Sequence, residues 1–182
     1  MKTFIEIGSC DFQTLNYLSD FGWKGVIVEP VKKYLDNIEQ KENVFYVNAA
    51  VDTERGSREL WLCSEELVDS DKDYAGMSSF YKNVQSEKAG SHDRSITVPT
   101  LTYSDLISMC NITQVDYLKI DTEGHDYEIL KMVDLRGPLR PKYIKIEHKH
   151  SSFDAIVGHL STHGYHCEVW PWDIIAIDVL PS

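Results

Sequence analysis

The chain has 182 residues and a net charge of −11 at pH 7, enough length for one domain with a sizeable core. The acidic balance argues against a general grip on nucleic acid, which needs Lys and Arg to neutralise phosphates. No apolar run nears the roughly 20 residues of a membrane span.

In chain order, Thr3–Gly8 reads as a strand, followed by a helix from about Phe12 to Phe21, where Phe12, Leu15, Leu18 and Phe21 recur at helical spacing. Gly25–Glu29 reads as a second strand. Pro30 stops it and suits the first turn of a helix, with Val31, Tyr34, Leu35 and Ile38 on one face. Val44–Val51 reads as a third strand, completing β-α-β-α-β, half of a doubly wound fold. The middle departs from this rhythm. Arg58–Cys63 and Ser95–Pro99 alternate like strands, and Ser64–Arg94 between them is polar with marginal helix. An inserted excursion of about 57–99 is therefore expected, acting as a lid or as disordered chain.

A short helix at about Ser104–Cys110 leads back to the alternation. Val115–Asp121 and Lys142–His148 read as strands, each followed by a helix (about Glu123–Val133 and Phe153–His163). Tyr165–Trp170 and Asp173–Val179, separated only by Pro171-Trp172, predict an antiparallel pair at a sheet edge. The fold class expected is α/β, Rossmann-like, with a mostly parallel sheet and a C-terminal antiparallel pair, as one domain over 1–182. Trp170 and Trp172 read as core or subunit contacts, so a homo-oligomer is allowed.

The four cysteines, Cys10, Cys63, Cys110 and Cys167, form no C-x-x-C pair, which argues against a zinc site. Met1–Glu6 enters a strand directly with no signal-peptide layout. Reduced thiols and a cytoplasmic location are the expectation.

Four apolar runs end on acids: Glu6, Glu29, Asp121 and Glu147. In open α/β sheets ligands bind beyond the carboxyl ends of the strands, so four carboxylates are expected to share one crevice. Gly8 permits a tight turn there. Glu29 falls 23 positions after Glu6, near the spacing at which an acid binds the hydroxyls of a ribose. The G-x-G-x-x-G of pyrophosphate binding is absent, which tilts the ligand from NAD towards S-adenosylmethionine (SAM). Its ammonium would suit Glu6 or Asp121. An NAD-dependent oxidoreductase and a non-catalytic nucleoside-binding module are the alternatives.

Several stretches carry a resemblance across nearly the whole chain. They are Phe4-Ile5-Glu6-Ile7-Gly8-Ser9-Cys10, Val28-Glu29-Pro30, Asn48-Ala49-Ala50-Val51-Asp52, Gly76-Met77-Ser78-Ser79-Phe80, Val98-Pro99-Thr100-Leu101, Leu118-Lys119-Ile120-Asp121-Thr122-Glu123-Gly124 and Ile146-Glu147-His148. The chain resembles the FkbM-type SAM-dependent methyltransferases. The resemblance implies a class I methyltransferase fold, SAM as methyl donor, and O-methylation of a hydroxyl on a sugar or other small-molecule or glycan acceptor. It places Glu6, Gly8 and Ser9 along the methionine part, Glu29 at the ribose and Ala50 and Val51 near adenine, with Cys10, Asp11 and Pro30 also among the cofactor-binding residues. Asp121 falls beside the reactive centre. The family's first loop usually reads Asp-x-Gly-Ala-Asn-x-Gly. This chain has Glu6 for the Asp, Cys10 for the Asn and Phe12 for the last Gly.

For the reaction, His148 and His125 are the candidate bases, because imidazole titrates near neutrality, with His148 preferred. Asp121 and Glu147 sit at the expected reactive centre. Together with Glu123 they offer oxygen ligands that suit Mg²⁺. Ser78, Ser79 and Glu123 are candidate acceptor contacts. Each has a plainer reading: Glu123 as a helix-start acid favoured by the macrodipole, His125 as a helix-surface residue, and His148 with His150 as a solvated pair. Lys119, Asp121, Lys145 and Glu147 invite comparison with the Lys-Asp-Lys-Glu tetrad of RNA 2′-O-methyltransferases. Two lysines placed two residues before two acids do not reproduce it, and RNA 2′-O-methylation stands as a minor alternative.

Overall fold

The computed structural model describes residues 1–12, 14–82 and 92–180. Positions 83–91 of the expected excursion, and Gln13 of the expected first helix, lie outside them.

Among the described residues, seven strands form the main sheet: β1 (Thr3–Ile7), β2 (Lys24–Val28), β3 (Val44–Val47), β7 (Tyr117–Ile120), β8 (Tyr143–Glu147), β9 (Tyr165–Val169) and β10 (Asp173–Asp178). They lie in the order β3-β2-β1-β7-β8-β10-β9. Neighbours from β3 through β8 are parallel, and β10 is antiparallel to both β8 and β9. The runs that are apolar throughout occupy the middle: Phe4, Ile5, Ile27, Leu118, Ile144 and Ile146 have no solvent exposure. A central parallel strand is covered on both faces, so it needs apolar side chains at odd and even positions alike. One face of β1 and β2 packs Ile5, Ile7, Val26 and Val28 into the larger core. The other puts Phe4 and Ile27 against Leu15, Leu35 and Ile38.

Helices α1 (Lys32–Asn37), α3 (Tyr103–Met109), α4 (Asp126–Met132) and α5 (Phe153–Thr162) lie near their expected places. Thr102 and Asp105 close a reciprocal capping box on α3, which satisfies two otherwise orphaned amides. The expected helix at Phe12–Phe21 is instead a 3₁₀ turn confined to Asn16–Phe21. The Leu15 amide donates to the Glu6 carboxylate at 3.0 Å, and turn bonds from Phe12 to Ser9 and from Thr14 to Phe12 replace the α-helical ladder.

The expected third strand also divides. After β3 the chain breaks at Asn48, whose amide donates to the carbonyls of Glu29 and Pro30. Residues Ala50–Val51 (β4) then join a second, three-stranded sheet with β5 (Gly56–Cys63) and β6 (His92–Leu101), in the order β4-β6-β5. This small sheet carries the excursion. Its described part is ordered into α2 (Glu65–Ser70) and a 3₁₀ helix at Lys72–Met77. A third core joins it to the main body, formed by Cys10, Val31, Tyr34, Ala50, Leu60, Leu62, Ala75 and Val98.

Trp170 and Trp172 are each 58 % exposed, so neither belongs to the core. No helix among the described residues is long and apolar enough to cross a membrane.

Candidate active site

A cavity of about 240 Å³ opens at the carboxyl ends of β1, β2 and β7, where the strand order reverses direction and open α/β sheets hold their ligands. Its floor is Ile7, Gly8, Cys10, Val28, Glu29, Pro30 and Ala49–Val51. Its far end is Asp121, Thr122, Glu123 and His125. Its roof is Leu60, Asp73, Ala75, Gly76, Ser78 and Phe80, with Phe12 at the margin.

Gly8 is what lets the two central strand ends come together. Its φ is +79°, and a Cβ there would stand 1.8 Å from the carbonyl oxygen of Asp121. No L side chain fits that gap.

Glu29 is 4 % exposed and is gripped by backbone. The Cys10 amide donates to Oε2 and the Val31 amide to Oε1, each at 2.8 Å. These two bonds aim the carboxylate and leave its remaining lone pairs for hydroxyl donors in the cavity. Burial outweighs them and pushes Glu29 up to about 7. Cys10 lines the floor, but burial pushes its thiol up, so it is no nucleophile.

Glu6 does not share this rim. It has no exposure, accepts the Leu15 amide, and pairs with Lys119 Nζ at 3.0 Å. The reason is strand alternation. Glu6 follows Phe4 onto the face covered by the 3₁₀ turn, and cross-strand register sets it beside Lys119. Burial alone would pull the Lys119 ammonium down, yet Glu6 and Asp121 hold it above its ordinary value. Lys119 also reaches Asp121 at 3.3 Å, so Glu6 acts beneath the site, through Lys119. Ser9 is 1 % exposed and bonds the Cys10 carbonyl, and Asp11 accepts from the side chain of Asn37. Neither lines the cavity.

The roof is fastened to the far end by side chains. Ser79 pairs with Trp61 through both backbone groups, and its hydroxyl donates to the Glu123 carbonyl at 2.7 Å. Fully buried, Ser79 positions this loop, whereas Ser78 is the serine that lines the cavity. Tyr81 Oη lies 3.1 Å from His125 Nδ1, and His125 Nε2 lies 2.9 Å from Asp52 Oδ1. An ionised Asp52 assigns the proton to Nε2, so Nδ1 accepts from Tyr81. Arg58 bonds both oxygens of Asp52 and stacks on Phe80, 4.2 Å from the ring centroid. Burial holds His125 below its ordinary value, against the pull of Asp52. The Asp52 carboxyl stays below its own because Thr53, Arg58 and His125 together outweigh burial. His125 is therefore a buried wall residue and not a helix-surface one. Asp52 ends the stretch Asn48-Ala49-Ala50-Val51-Asp52, yet no local pattern sets it against a histidine 73 residues away.

Asp126, fully buried, organises the loop after β7. Its Oδ1 accepts from the Thr122 amide and hydroxyl, and its Oδ2 from the Gly124 amide and the Ser151 hydroxyl. These bonds hold Glu123 at φ +53°, a left-handed conformation that is costly for a non-glycine residue.

Glu147 and His148 lie outside the cavity wall. His148 Nε2 bonds the carbonyl of Trp170, which removes the preferred base from the cavity. His150 turns instead to Glu123 at 3.5 Å, so the two histidines are not a pair. Lys145 pairs with Asp173, and Lys119 with Glu6 and Asp121, so the residues compared with the RNA tetrad do not assemble as a unit. The four strand-end acids thus divide three ways: Glu29 and Asp121 face the cavity, Glu6 lies beneath it, and Glu147 belongs to a neighbouring cluster.

A mostly parallel seven-stranded α/β sheet with a cavity at this position is consistent with a methyltransferase fold. The model of the Methyltransferase FkbM domain matches residues 6–167, and the chain belongs to the FkbM methyltransferase family. Comparison with curated proteins gives no significant match, and comparison with solved structures gives none either.

Proposed function

We propose that the chain is a SAM-dependent methyltransferase of class I fold, acting on a hydroxyl oxygen of a sugar or other small-molecule or glycan acceptor. The observation that carries this reading is Glu29, a buried carboxylate held by two backbone amides on the floor of a strand-end cavity. Such a carboxylate suits the two hydroxyls of a ribose. Ala50, Val51 and Leu60 offer an apolar slot for the adenine. Gly8, Cys10 and Asp121 face the amino-acid end. When bound, SAM supplies a sulfonium methyl group open to in-line attack by an oxygen.

The roof excludes water and fixes the acceptor, and alignment of this kind is worth several kcal/mol.

His125 is the base we assign. It lines the cavity, burial favours its neutral form, and Asp52 holds Nε2–H, leaving Nδ1 as the basic atom. The acceptor's proton reaches Nδ1 directly, in place of Tyr81, or through the Tyr81 hydroxyl. Asp121 holds the acceptor or the ammonium of SAM at the far end.

Calorimetric titration with SAM and with NAD tests the cofactor, and methyl transfer from labelled SAM into cell-extract glycans tests the chemistry. Binding of SAM and not NAD is expected. Replacement of His125 by Asn should lower kcat by about 10²–10⁴-fold while SAM affinity stays within a few-fold. Binding of NAD alone would return the oxidoreductase reading. SAM binding without transfer to any acceptor would leave a binding module.

A further inference from the structure

Beyond the wall of the cavity, Glu123, Glu147 and His150 gather where the loops after β7 and β8 meet. One ligand atom from each lies within 4.8 Å of the others. Glu147 is 7 % exposed, and its Oε2 is buried with no hydrogen-bond partner among the described residues. A carboxylate so placed is costly, because it has left water without gaining donors. Glu123, Asp121 and Asp126 add negative charge around it. A cation at this point would meet the unpartnered oxygen and offset that charge.

We propose that Glu123, Glu147 and His150 form a binding site for one divalent first-row metal ion, at the acceptor end of the cavity. Three features support a cation over a shared proton. The set includes an imidazole, which a proton shared by two acids does not need and which suits transition metals. His150 Nε2 and Glu123 Oε2 stand 3.5 Å apart, a separation that two ligands of one ion bonded at ~2.0–2.2 Å also adopt. Both ligand loops are tied to a single buried group, because Asp126 accepts from Thr122 and Gly124 on one loop and from Ser151 on the other. Outer-shell bonds of this kind fix the geometry of metal ligands.

Glu123 also lines the cavity, so an ion here stands next to it. If the methyltransferase reading holds, the ion would grip an acceptor that carries two neighbouring oxygens and acidify the hydroxyl to be methylated. That use rests on the reading above; the ion site does not. The mixed oxygen and nitrogen ligand set favours Mn²⁺ over Mg²⁺.

The test is titration of MnCl₂ into the chelator-treated full chain. Calorimetry would be followed alongside the paramagnetic resonance of free Mn²⁺, with no methyl donor present. Saturable uptake of one ion per chain is expected, tighter than uptake of Mg²⁺. Glu147→Gln and His150→Ala should each weaken it by roughly 10–100-fold, while His150→Ala leaves SAM affinity unchanged. Absence of Mn²⁺ uptake by the unaltered chain up to millimolar concentration overturns the site, and this needs no variant to fold. Equal Mn²⁺ affinity in a folded Glu147→Gln variant also overturns it, as the ion would then sit elsewhere. Mn²⁺ uptake by a chain that does not bind SAM would uphold the site and remove the methyltransferase reading.

Discussion

The floor and the roof of the cavity are built by different means. The floor is backbone work: Gly8, Glu29 and Asp121 are set by strand register and by amides that lie on adjacent strands or within two residues. The roof is held by side chains: Leu60 and Ala75 pack against Cys10 and Ala50 in the third core, and the Ser79 and Tyr81 hydrogen bonds reach residues 44 positions away. A floor made from a ladder has many bonds to lose before it moves. A roof held by packing and by a few hydrogen bonds, each worth about 1 kcal/mol net, has fewer bonds to lose at its Ser79–Tyr81 edge. The comparison teaches that the floor and the roof can be altered separately; on the proposed function, these alterations would bear on cofactor recognition and on acceptor access in turn.

Changes beneath the floor should break the comparison most severely. Lys119→Met leaves Glu6 buried without its counter-charge. A loss of about 3–5 kcal/mol is expected, read as a lower urea midpoint. A variant as stable as the parent would show that the Lys119–Glu6 pair adds nothing net to stability. Gly8→Ala comes next. Its Cβ meets the Asp121 carbonyl, and strain plus overpacking should cost about 2–4 kcal/mol, seen as a lower Tm with SAM binding lost.

Glu29→Gln sharpens the contrast within the floor itself. A glutamine amide must set N–H against one of the two backbone donors. SAM affinity should therefore fall about 10–100-fold with little change in the roof. The parent should also show a pH effect that this variant lacks. Burial pushes Glu29 up to about 7, so its ionised, fully accepting form is lost on acidification, and SAM affinity should fall as pH drops below that point. The sign for folding is opposite. A raised carboxyl binds its proton more tightly in the folded state, so this group's contribution to stability falls as pH rises from its ordinary value towards 7. Calorimetry at pH 8 and pH 6 checks the first statement, and urea titrations at the same two values check the second.

The smallest global effect should come from the roof. Tyr81→Phe removes one hydrogen bond to His125, about 1 kcal/mol. Faster amide exchange at Ser78–Phe80 and a lower kcat are expected, with SAM affinity near the parent's. Unchanged exchange there would mean that the Ser79 bonds alone hold the roof.

The sequence by itself determined the strands of the main sheet, except where the third divides at Asn48. Its apolar runs are continuous because central parallel strands are buried on both faces, and that signal is local. It also marked Gly8, Glu29 and Asp121 in the residue order of the FkbM family, and the tight link at Pro171-Trp172 foretold the antiparallel edge. Tertiary structure alone decided which acids meet. Glu6 and Glu29 look alike as strand-end acids, but strand alternation and cross-strand register send Glu6 to Lys119 and leave Glu29 on the cavity floor. His125 and His148 look alike as bases, but only the fold sets Asp52 against the one and the Trp170 carbonyl against the other. Such partners lie far apart along the chain and are joined by packing, so no local pattern of residues records them.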